Sequence, residues 1–168
     1  MKVISTISTV TILMVFIVGC AIQPELSPMQ KREITTRVFD SGYETTYRSI
    51  MTILQDQGYI IKNTDMNTGL INANIDREAG FGSQITQGLL LGYVVDKGSA
   101  IDASFMVNRI NETKTEVRLN IQEASYGQSS KFSSTSQQSV RQILNPEIYN
   151  KLFNDIRTEI KRREAMNE

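Results

Sequence analysis

Two pairs of carboxylates and one cluster of hydroxyls are the groups in this sequence that could perform acid–base or nucleophilic chemistry. Asp76 and Glu78 flank a glycine-rich stretch, and Glu116 and Glu123 share a segment that alternates like a strand. General acid–base work across such a pair needs one pKa raised by burial or by a like-charged neighbour. With 18 acids in 168 residues, carboxylates meet by chance, and both pairs are expected at exposed positions, where nothing lifts a pKa. The stretch 129–139 is rich in Ser, but the chain has no His to activate a hydroxyl, and a Ser–Lys dyad with Lys131 has no supporting motif. Without imidazole there is no Ser-His-Asp or Cys-His machinery and no His-ligated metal site. A single Cys closes no intramolecular disulfide and builds no zinc cluster. The expectation is a protein that is not an enzyme and carries no cofactor and no metal. A hydrolase using two acids across a cleft is the residual catalytic alternative. Basic and acidic side chains balance at 18 each, so the basic excess of a phosphate-neutralising nucleic-acid binder is absent.

The remaining reactive side chain is Cys20, and its chemistry is modification. It follows Lys2 and an uncharged apolar run over residues 7–18. As a helix that run is about 18 Å long, short of the roughly 30 Å hydrocarbon core of a bilayer, and it has the length of a signal-peptide core. The sequence Ile17-Val18-Gly19-Cys20 resembles a bacterial lipobox, although Val18 stands where Ala or Ser is common and Ile17 where Leu is most frequent. The resemblance implies that residues 1–19 are a lipoprotein signal peptide cleaved before Cys20. It also implies diacylglycerol on the Cys20 sulfur and a further acyl chain, of the palmitate class, on the new amine. Ala21 in place of Asp implies sorting to the outer membrane rather than retention in the inner one, with the rest of the chain in the periplasm.

Residues 20–32 hold two of the chain's 3 prolines and no apolar period, which predicts an extended tether. A single domain is expected over 33–163, with a short tail at 164–168. Residues 33–39 read as a strand. Ser41 and Glu44 fit a capping box before Tyr43, Tyr47, Ile50, Met51 and Leu54, which lie on one helical face that Gly58 closes. Residues 59–65 and 70–76 read as strands, the second alternating Ile71, Ala73 and Ile75 against Asn72, Asn74 and Asp76, the pattern of a sheet with one wet face. A second hairpin is expected from 100–110 and 115–124 about Asn111-Glu112-Thr113-Lys114, where a turn suffices to explain the match of Asn111-Glu112-Thr113 to the glycosylation sequon. Residues 125–139 read as a loop. Asn145 and Pro146 open a last helix with Ile148, Leu152, Ile156 and Ile160 four apart, Tyr149 and Phe153 widening the stripe, and Lys161, Arg162 and Arg163 in its last turn. The order predicts an α+β two-layer sandwich: an antiparallel sheet of about four to five strands with two helices packed on one face.

This pattern resembles the helix-grip modules of envelope lipoproteins such as the C lipoprotein of the outer-membrane β-barrel assembly machine. It looks still more like a group of small bacterial lipoproteins in which segments like 53–61 (ILQDQGYII) and 145–153 (NPEIYNKLF) recur. Those are packing motifs and nominate no catalytic residue. The resemblance implies a periplasm-facing envelope module with an envelope protein partner.

Residues 79–98 are the odd segment, with five glycines, Leu89-Leu90-Leu91 and Tyr93-Val94-Val95. No Gly-Lys-Ser/Thr follows the glycines, so it is not a phosphate-binding loop. It reads either as a connector packed on the domain or as an exposed apolar loop that touches membrane or partner through Phe81, Leu89, Leu90, Leu91 and Tyr93. The function expected is non-catalytic binding or scaffolding at the membrane. The alternative is a carrier of a small apolar or glycan ligand, which requires an open pocket among Tyr47, Met51, Phe105 and Phe153.

Overall fold

Strands that alternate apolar and polar side chains must cover one face and wet the other, and the described residues of this chain do so across six antiparallel strands. A computed structural model describes residues 26–76, 99–126 and 138–167. Its elements are α1 (Pro28–Thr35), β1 (Thr36–Phe39), α2 (Tyr43–Asp56), β2 (Ile60–Asp65), β3 (Leu70–Asp76), β4 (Ser99–Arg109), β5 (Thr115–Tyr126), β6 (Gln138–Gln142) and α3 (Pro146–Asn167). The sheet runs β1-β5-β4-β3-β2, with β6 also paired to β5. β1 pairs with β5 at residues 115–118 and β6 with β5 at residues 122–126, so the two short strands share one lane. The architecture is an α+β two-layer sandwich, as expected, with a sixth strand and a third helix.

The core lies between the sheet and the two long helices. Ile71, Ala73, Ile75, Ile101, Ala103, Phe105, Val107, Val117, Leu119 and Ile121 supply the sheet side, every second residue of their strands. Tyr47, Ile50 and Leu54 of α2 meet Ile148, Leu152, Phe153, Ile156 and Ile160 of α3 from above. Each fully buried aliphatic or aromatic side chain contributes about 1.5–3 kcal/mol. The seam between the helices is polar: Arg163 donates to Thr52 Oγ1 (2.6 Å), Gln57 to Asp155 (2.9 Å) and Ser41 to Glu164 (2.8 Å).

Gly58 ends α2 at φ 81°. The Tyr59 N–H reaches Leu54 O and the Gly58 N–H reaches Gln55 O, the two bonds of a Schellman motif, with Tyr59 and Leu54 both buried beside it. Gly69, at φ 79°, closes the β2–β3 turn so tightly that a Cβ there would lie 2.0 Å from Val107 O. The Tyr43 hydroxyl donates to Met66 O across the same turn, and the Arg109 guanidinium stacks 5.2 Å from the Tyr43 ring.

Several expectations are corrected. Residues 28–32 are helical rather than an extended tether: Ser27 caps α1, Gln30 completes a capping box, and Pro28 occupies the first turn. The strand expected over 33–39 therefore starts only at Thr36. The capping box at Ser41 and Glu44 does not form. Gly42 is the N-cap of α2, Ser41 is drawn to Glu164, and Glu44 pairs with Arg48 instead. Within the loop expected over 125–139, residues 125–126 belong to β5 and 138–139 open β6. α3 runs on to Asn167, so the tail at 164–168 is largely helical and Lys161–Arg163 lie short of its last turn.

Candidate binding groove on the open sheet face

Strand residues that alternate with the core point away from the helices, and their types decide what that face can do. Three cross-strand rows define it. The first is Leu70, Met106, Arg118 and Thr36. The second is Asn72, Ser104 and Asn120. The third is Asn74, Asp102, Gln122 and Gln142. The middle row stops at β5, because neither β1 nor β6 pairs with residues 119–121. A groove of about 450 Å³ opens there. Ser104 and Asn120 line its centre, Leu70, Met106 and Arg118 one side, Gln122 and Gln142 the other.

The break in the lane is sealed on the helix side by one hydroxyl. Tyr149 of α3 is fully buried; its hydroxyl accepts from the Ile121 N–H (3.2 Å) and donates to Ile143 O (2.9 Å). Burial pushes its pKa up to about 12, against the opposing effect of the Ile121 bond. The Ile143 N–H in turn reaches Ile121 O at 2.9 Å. Tyr149 thus supplies the pairing that a continuous edge strand would have made.

On the groove side, Gln142 donates to Asn120 Oδ1 at 2.7 Å, joining β6 to β5 across the gap. That bond commits one end of each amide and leaves the Asn120 Nδ2 donors and the Gln142 Oε1 acceptor for something else. Thr36 Oγ1, beside Arg118 in register, is buried without a hydrogen-bond partner, as is Asn74 Oδ1 farther along the face. Arg118 is exposed and has no ion pair among the described residues. The groove therefore offers neutral donors and acceptors and one positive charge. No carboxylate is among the described residues that line it.

The residues singled out from sequence fall elsewhere. Cys20, Phe81, Leu89, Leu90, Leu91 and Tyr93 lie outside the described residues, as do Glu78 and Lys131. Glu116 and Glu123, expected together at exposed positions, are seven apart on β5 and so project to opposite faces. Glu116 is half-buried on the open face beside Asn108. Glu123 is buried on the helix face with Arg141 Nη2 2.7 Å away, and the two do not form an acid–base pair. Tyr47, Phe105 and Phe153 are packed in the core with Met51 against them, so the space a carrier would need there is filled. Among the described residues no group of three His, Cys, Asp or Glu could hold a metal ion, and no helix is long and apolar enough to cross a membrane. Parity along 70–76 signalled the wet face, but neither the groove nor the role of Tyr149 could be read from sequence, since both depend on where two short strands stop along β5. No protein-family model matches the chain, and no curated protein matches it in sequence.

Proposed function

We propose that this chain is a lipid-anchored lipoprotein of the cell envelope whose α+β domain acts as a non-catalytic binding or scaffolding module in the periplasm. Acyl chains on Cys20 hold it at the outer membrane; two or more chains anchor stably where one binds marginally. Its partner is an envelope protein. The observation that carries the reading is the open sheet face, which no helix covers among the described residues: a row of amides and a hydroxyl, broken at its edge into an open groove.

Two measurements test it together. Metabolic labelling with a radioactive fatty acid should mark the wild-type chain in the membrane fraction and leave Cys20→Ser unmarked. A photo-crosslinking side chain at Asn72 or Gln122, on the open face, should capture one and the same envelope protein reproducibly in cells. At Lys161, exposed on the helix side, it should not. Equal yields from both faces, or none from either, would overturn the binding-module reading.

A further inference from the structure

We propose that the groove takes an extended peptide segment and holds it by a carboxylate paired with Arg118. The inference rests on the binding-module reading and deepens it by naming the chemistry of the partner. Charge is the first argument. Arg118 is the one charged side chain among the described residues that line the groove, and it has no counter-ion there. Its nearest acid in sequence on that face, Glu116, lies outside the groove and accepts a bond from Asn108 at 3.5 Å. A guanidinium so placed is complementary to a carboxylate, which it can grip with two parallel hydrogen bonds.

The rest of the groove selects a peptide over a sugar. Asn120 and Gln142, fixed to each other, present a spare donor and a spare acceptor next to one another. In an extended chain the N–H and C=O of a residue point to the same side, so this pair matches one residue of a strand-like peptide. Leu70 and Met106 provide apolar contact for its side chains. Saccharide sites ordinarily stack a sugar ring on an aromatic face, and the only aromatic among the described residues at the groove, Phe105, turns its ring into the core.

The test uses the full-length chain in detergent micelles, labelled with ¹⁵N, and three probes: the tetrapeptide Ala-Ser-Ala-Ala as free acid, the same peptide with its C-terminus amidated, and the trisaccharide of N-acetylglucosamine. The free acid should shift the side-chain amide resonances of Asn120 and Gln142 and the Arg118 Nε resonance, saturably. Amidation, or Arg118→Gln, should weaken that binding about tenfold or more, the loss expected when a charge-assisted pair is removed. Arg118 is exposed, and the amide spectrum of Arg118→Gln checks that the fold is kept. Equal shifts from acid and amide would show that no carboxylate is read and would overturn the proposal. So would shifts from the saccharide with none from the peptide, or none from any probe. If crosslinking at Asn72 or Gln122 still captures its protein in cells in that last case, the binding-module reading stands and only the peptide assignment fails.

Discussion

Removing two hydroxyls, each from a buried tyrosine, should move stability in opposite directions. Tyr149→Phe keeps the ring and its packing against Phe153 (centroids 6.4 Å apart) but deletes the oxygen that bridges Ile121 N–H and Ile143 O. Both backbone groups then lie in the core at a break in the sheet, with no neighbouring strand to take them. A buried donor or acceptor left unpaired costs about 1–3 kcal/mol. With two such groups and some relaxation, the expected loss is about 2–4 kcal/mol. Tyr59 is also buried, and its hydroxyl has no hydrogen-bond partner, with burial raising its pKa far above the usual tyrosine value. Tyr59→Phe removes a desolvated polar atom that forms no bond, so it should be neutral or stabilising by about 1 kcal/mol. Urea unfolding followed by far-UV circular dichroism measures both. With a slope of about 2 kcal/mol per M, Tyr149→Phe should lower the midpoint by about 1–2 M, while Tyr59→Phe leaves it unchanged or raises it. Equal destabilisation by the two substitutions would refute the assignment of Tyr149 as the bond that bridges the lane.

Gly69→Ala should destabilise by about 2 kcal/mol or more, combining a strained positive φ with a Cβ driven into Val107 O; the same unfolding assay reads it. Glu159 is buried (6% exposed) and held between Arg162 and Arg163, and the Arg162 hydrogen bonds lower its pKa against the opposing effect of burial. A lowered folded-state pKa means stability that is fully present above the ordinary Glu range and is lost as pH falls through the lowered value. Glu159→Gln should therefore flatten the acid limb of the stability–pH curve, and an unchanged limb would show that the carboxylate is not linked to folding. Cys20→Ser should shift the chain out of the membrane fraction, read by fractionation, without changing its urea midpoint.

The parts of the fold legible in sequence are those specified by local period. Tyr47, Ile50 and Leu54, and Ile148, Leu152, Ile156 and Ile160, recur at helical spacing and are the core faces of α2 and α3. The 70–76, 100–110 and 115–124 segments alternate, and the last two pair in the expected hairpin about 111–114, where Asn111 Oδ1 accepts from the Thr113 N–H. α1 was hidden by its own start signal. The two prolines of 20–32 suggest an extended tether, although Pro is favoured in a first turn and Ser27-Pro28-Met29-Gln30 is a complete capping-box pattern. β6 carries no such local mark. Its one aliphatic residue, Val140, is exposed, so no alternation announces it, and it exists because β5 offers an unpaired edge. The groove is a further step removed, created by the space between two strand ends that no window of neighbouring residues encodes.

That origin bears on how the proposed module would work. A groove furnished with neutral amides gains little per contact, since a hydrogen bond that replaces one to water nets about 0.5–1.5 kcal/mol. A single guanidinium–carboxylate pair in an open cleft is screened by solvent and salt. Such a site binds a short segment weakly in free solution. Confinement changes the arithmetic without adding a contact: a lipid anchor places the domain in the same thin layer as other envelope proteins, and tethering raises effective concentration toward the millimolar range. On the proposed reading, weak recognition at the groove and stable attachment through Cys20 would be complementary parts of one device, the first choosing the partner and the second making the choice count. A tighter groove would need an apolar, water-excluding wall on this face, and the sequence instead puts Asn72, Ser104, Asn120, Gln122 and Gln142 there.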